Sequence, residues 1–138
     1  MRVHWEVVPR GDVPTSAAGF YVAINPKGYI TFNRKVHEQI GKAEAVLLLF
    51  DRVNSRIALK PVMAGVKNAY PVRKTANLTK VVRAARLLVE YGIKIPELLE
   101  FKDPEFDQDR QLVLDLRTAR ASNRSHERAR AKTKAVRG

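Results

Sequence analysis

Phe20-Tyr21-Val22-Ala23-Ile24-Asn25-Pro26-Lys27-Gly28-Tyr29-Ile30-Thr31-Phe32-Asn33 is the stretch that decides the fold. Phe20–Ile24 and Tyr29–Phe32 are β-rich runs, and Asn25-Pro26-Lys27-Gly28 between them is a turn. Asn33 has the side chain of a helix N-cap. Val36 and Ile40 then fall on one face of one or two helical turns. Gly41 stands where a left-handed C-cap glycine belongs. Ala45–Phe50 is a continuous apolar run, which predicts a buried strand. Residues 51–55 turn it into Arg56–Lys60, whose alternation is that of a half-exposed strand, and Pro61 closes the unit. Upstream, residues 3–8 read as a strand and 9–14 as a turn or linker.

The same plan recurs 51 positions further on. Lys80–Glu90 reads as helical, Gly92 stops it, and Glu97–Phe101 reads as a strand. An acidic loop and a strand over Arg110–Leu116 follow. Ile30 then aligns with Val81, Val36 with Leu87, Gly41 with Gly92 and Phe50 with Phe101. After a longer hairpin loop, Ile57 aligns with Leu112 and Leu59 with Leu114. This is the pattern of an internal repeat of strand–helix–Gly–hairpin units. One unit alone is too small to bury a core, and two packed together are not. The chain divides into an N-terminal strand and linker (1–19), unit 1 (20–61), a linker (62–78), unit 2 (79–116) and a basic tail (117–138).

Composition narrows the function classes. The 138 residues carry 26 Lys and Arg against 14 Asp and Glu, a formal net charge of +12. Apolar residues make up 45%, enough for a folded domain. Cysteine is absent, which removes disulfide frameworks, thiolate metal sites and cysteine nucleophiles. No apolar run is long enough to span a bilayer. Trp5, Glu6 and Pro9 stand where a signal peptide would need an apolar core, which argues for a cytoplasmic protein. The last 22 residues hold eight cations and a single carboxylate, Glu127. With Val136 as its one large aliphatic residue, this tail is expected to be disordered alone, or helical on a partner that neutralises it. Such a segment is drawn to polyanions.

Phe20–Pro61 resembles the swapped-hairpin DNA-binding domain of the AbrB/MazE/SpoVT superfamily. The matching parts are Gly28-Tyr29-Ile30-Thr31-Phe32, the short helix Arg34–Ile40, Gly41, the strand Val46–Phe50 and the closing Arg56-Ile57-Ala58-Leu59-Lys60-Pro61. The tandem plan is similar to the MraZ branch, with two units in one chain. The resemblance implies an α+β, mostly β fold: a small swapped-hairpin barrel built from two strand–helix–hairpin units. It also implies a bacterial, nucleoid-associated transcription regulator that binds duplex DNA, or the antitoxin of a toxin pair. The chain departs from the family where Tyr29 replaces a basic residue, Asn33 a proline, and His37 and Glu38 paired arginines.

The expected nucleic-acid contacts are therefore a region and its cations. Lys27, Asn33, Arg34 and Lys35 surround the first turn and helix entrance. Arg73 and Lys74 precede Lys80, Arg83 and Arg86, whose spacing of three makes one basic stripe if the segment is helical. Arg117, Arg120, Arg124, Arg128 and Arg130 carry the tail. Lysines and arginines of this kind position a protein on phosphates, each neutralised phosphate releasing counterions. Base selection needs bidentate groups, for which Asn33 and Arg34 are the candidates. Tyr21, Tyr29 and Tyr70 are stacking candidates if the ligand is single-stranded.

Chemistry is sparse elsewhere. Asp103, Glu105, Asp107 and Asp109 alternate as in a calcium loop, but Gln108 stands at the obligatory glycine and Leu114 at the distal ligand. No metal or cofactor is expected. His4, His37 and His126 are isolated, and no nucleotide loop, zinc motif or nucleophile elbow is present. The reading is a non-enzymatic DNA-binding protein. RNA or the ribosome, a toxin-like protein partner and a homodimer are the alternatives it leaves open.

Overall fold

The computed structural model describes residues 19–75 and 79–122. Its elements are β1 (Val22–Ile24), β2 (Tyr29–Phe32), α1 (Arg34–Gln39), β3 (Ala45–Asp51), β4 (Arg56–Val62), β5 (Tyr70–Pro71) and β6 (Arg73–Lys74). β7 (Lys80–Arg83), α2 (Ala85–Tyr91), β8 (Leu99–Phe101), β9 (Glu105–Phe106), β10 (Leu112–Asp115) and β11 (Ala119–Ala121) follow. The fold is mixed and mostly β, in two antiparallel sheets that are not closed into one. The first sheet has the order β11-β8-β1-β2-β7-β6 and the second β5-β3-β4-β10-β9.

Three chain segments serve both sheets, 70–74, 99–106 and 112–121. Tyr70 pairs with Val46 in the second sheet, and Arg73 pairs with Val81 in the first. Val72 lies between them, donates its N–H to the Glu44 carbonyl at 2.8 Å and packs against the core. Residues 99–106 repeat the device through β8 and β9. The core between the sheets holds Ile24, Ile30, Phe32, Val82 and Phe101 from one side and Val46, Ile57, Leu59, Leu112 and Leu114 from the other. Val36 and Ile40 enter it from α1 and its end, and Leu87 and Leu88 from α2.

Local chemistry sets the helix ends. Asn33 accepts from the Val36 N–H at 3.1 Å and caps α1. Gly41 (φ +73°) and Gly92 (φ +62°) end the two helices in the left-handed region, where glycine has no Cβ to clash.

Several expectations are corrected. Lys80–Arg83 is a strand, and the helix begins at Ala85. Val81 and Val82 are β-branched, and pairing with β2 through four residues outweighs the helical spacing. The linker expected over 62–78 contains β5 and β6. Pro61 lies inside β4 rather than ending it. Its missing N–H is tolerated because β10 pairs with β4 only as far as Leu59. The apolar run in β3 is not buried on both faces, since Leu49 is 43% exposed. The last two strands are shorter than expected, Leu99–Phe101 and Leu112–Asp115. Residues 117–122, expected in the tail, complete a 3₁₀ turn that starts at Leu116 and supply β11, which pairs with β8.

The two halves also pair with each other. Ile30 lies opposite Val82, and both are fully buried. A one-residue slip exchanges the inward and outward faces, so burial fixes this register. In the second sheet Ala58 faces Val113, with Ile57 opposite Leu114 and Leu59 opposite Leu112.

Candidate nucleic-acid interface

β6 and β7 form a basic hairpin on the edge of the first sheet. Arg73 pairs with Val81 and Lys74 with Lys80. The Thr75 N–H donates to the Thr79 carbonyl at 2.9 Å, and the two threonine hydroxyls bond to each other at 2.5 Å. β2 pairs with the other edge of β7, in the same sheet. Val82 points into the core, so Lys80 and Lys74 share that side of the ribbon while Arg73 and Arg83 lie on the other. Cations therefore flank both faces. Among the described residues none of these four belongs to an ion pair.

The turn carrying Lys27 is fixed beside the hairpin. Gly28 donates to the Asn25 carbonyl at 2.9 Å, and the Asn25 side chain accepts from the Tyr29 N–H at 2.9 Å. The Ala84 N–H donates to the Gly28 carbonyl at 2.6 Å. A Cβ on Gly28 would lie 2.6 Å from the Ala85 Cα, so only glycine lets the turn sit on the β7–α2 junction. Lys27 shares a shallow 340 Å³ cleft there with Lys94, a cation the sequence reading missed. Its position between Ile93 and Ile95 was the available signal. Tyr29 lies opposite Arg83 on the outward face of β2.

The remaining candidates are elsewhere or engaged. Asn33 uses its oxygen as the α1 cap and donates one amide N–H to the Gly19 carbonyl at 2.8 Å, so its side chain is held within the fold. Arg34 pairs with Glu38 at 3.1 Å. The Lys35 ammonium lies 5.9 Å from the Phe20 ring centroid. Arg86 lines a separate hollow with Leu47–Leu49, so the single stripe of Lys80, Arg83 and Arg86 does not form. Arg117 holds Asp115 through two contacts of 3.2 Å, and that bonding keeps the carboxyl below its usual range. Arg120 donates to the carbonyls of Arg117 and Ala119. Arg124, Arg128 and Arg130 lie outside the described residues, as do His4 and His126.

The other polar clusters have structural work. Asp51 caps the β3–β4 turn, accepting from the Asn54 side chain at 2.8 Å and from Arg56 at 3.0 Å. These bonds lower its pKa from the usual 3.8 to about 2. Asp107 accepts from the Asp109 and Gln111 N–H groups, each at 2.9 Å, and so folds the acidic loop on itself. Among the described residues no group of three or more metal-ligating side chains is assembled. His37 bonds to the Ala43 carbonyl at 2.8 Å. A 520 Å³ cleft at the β3–β4 turn has Arg56, Lys102 and Arg117 balanced by Asp103, Glu105 and Asp115. It has no net attraction for a polyanion. No helix among the described residues is long and apolar enough to cross a membrane.

Comparison with protein-family models, with curated proteins and with solved structures returns no match for this chain.

Proposed function

We propose that this protein is a DNA-binding regulator that grips duplex DNA with the β6–β7 hairpin. The observation that carries the reading is the placing of Arg73, Lys74, Lys80 and Arg83 on both faces of one edge ribbon, none in an ion pair among the described residues. The major groove is about 12 Å wide and admits a two-stranded β-ribbon. Its walls are phosphate backbones on either side, which a ribbon charged on both faces suits. Lys27 and Lys94 extend the basic surface at one end, and the tail adds sequence-independent attraction. The segments 70–74 and 99–106, each shared by the two sheets, support the finer fold reading of a swapped-hairpin barrel.

A second reading, single-stranded nucleic acid or RNA, is favoured by Tyr29 opposite Arg83, an aromatic ring beside a cation on a sheet face. Fluorescence anisotropy on duplex DNA, single-stranded DNA and structured RNA across a salt series separates the two. The full chain is compared with Lys74→Ala, Lys80→Ala and Arg34→Ala. Duplex binding should weaken in the two hairpin variants, with the log K against log[salt] slope reduced by about 0.9 for each phosphate no longer neutralised. Arg34→Ala should change little. No duplex affinity at low salt would remove the leading reading, and a preference for single strands abolished in Tyr29→Ala would establish the second.

A further inference from the structure

We infer that the outward face of α2 and the hollow beside it form a self-association surface, and that the partner is a second copy of this chain. Val89 stands 82% exposed on the solvent side of a helix whose other side buries Leu87 and Leu88. Arg86 precedes it by three residues and Glu90 follows it, so the three share one face. Arg86 and Glu90 also line a hollow of 570 Å³ floored by Leu47–Leu49 and Tyr70. Leu49 is exposed at its lip, and a second hollow of 470 Å³ opens on the other side of Leu49.

Charge complementarity selects the occupant. Arg86 and Glu90 are one helical turn apart, yet among the described residues neither belongs to an ion pair. A twofold axis that sets two α2 helices antiparallel brings Arg86 of each copy against Glu90 of the other. It also sets Val89 against Val89 and offers each Leu49 a hollow in the partner. The surface is thus complementary to itself, as an isologous contact requires. A cationic ligand would meet Arg86, and an anionic one Glu90. A dimer of this kind carries two basic hairpins, whereas each chain has one.

The test is sedimentation equilibrium of the full chain over a concentration series, without nucleic acid, so its outcome is independent of the DNA-binding reading. The wild type should dimerise. Arg86→Glu and Glu90→Arg should each weaken dimerisation at least ten-fold by placing like charges across the axis. The double variant R86E/E90R should restore it, because the swap preserves complementarity. Both sites are exposed, and circular dichroism checks that each variant folds. A monomeric wild type, single variants that dimerise as the wild type does, or a double variant no better than either single one would each overturn the proposal.

Discussion

Lys74 and Lys80 stand directly opposite each other across β6 and β7, on the same side of the ribbon. Like charges so placed oppose folding, whereas an opposite-charge pair in the same place contributes about 0.2–1 kcal/mol. Lys74→Glu should therefore raise the thermal midpoint while lowering duplex affinity. Scanning calorimetry and anisotropy on the same sample check both signs. A variant that gains stability and keeps full affinity would show that the pair has no part in binding.

Gly28 combines φ +88° with backbone contact to Ala85. Gly28→Ala should cost about 2 kcal/mol or more, since the left-handed strain adds to a clash that no side chain can relieve by turning. Urea unfolding measures it. A decrease of only a few tenths would mean that the turn lifts off α2 without consequence.

Asp51 links acid stability to one hairpin turn. Its carboxyl has a lower pKa in the folded chain, about 2, than the usual 3.8. The ionised form is thus favoured by folding. Its contribution is complete above 3.8 and disappears as the pH falls through about 2. Asp51→Asn should be less stable than the wild type near neutrality, and the two should converge over that acid window. Parallel unfolding curves across the window would sink the assignment.

Truncation tests what β11 contributes to the first sheet. A chain ending at Ser122 retains β11 and its pairing with β8. It should keep the wild-type unfolding midpoint and duplex binding, with a shallower salt slope because the tail cations are gone. A chain ending at Leu116 lacks β11 and should unfold earlier. Equal midpoints for the two truncations would contradict the sheet order.

Short-range chemistry was the legible part of the sequence. The capping roles of Asn33, Gly41 and Gly92 are played within a few residues of themselves, and their types announce those roles before any tertiary contact forms. The hairpin was not legible for the opposite reason. Arg73-Lys74 is too short to show a period, and Lys80-Val81-Val82-Arg83 satisfies a helical charge stripe as readily as a strand. Its pairing with β2, far away in sequence, made the choice. The basic region itself was visible, but a linear pattern does not say which cations share a face. The leucines at 47–49 misled similarly. An unbroken apolar run suggests a strand covered on both sides, whereas here one side meets solvent at Leu49.

Residues 70–74 belong to both sheets, with Val72 held between them. The base of the hairpin is therefore tied to both sheets. The amides of β7, which is paired on both sides, should exchange with solvent more slowly than those of the edge strand β6. If the hairpin binds DNA as proposed, its base meets the ligand already ordered, and that ordering belongs to folding rather than to binding.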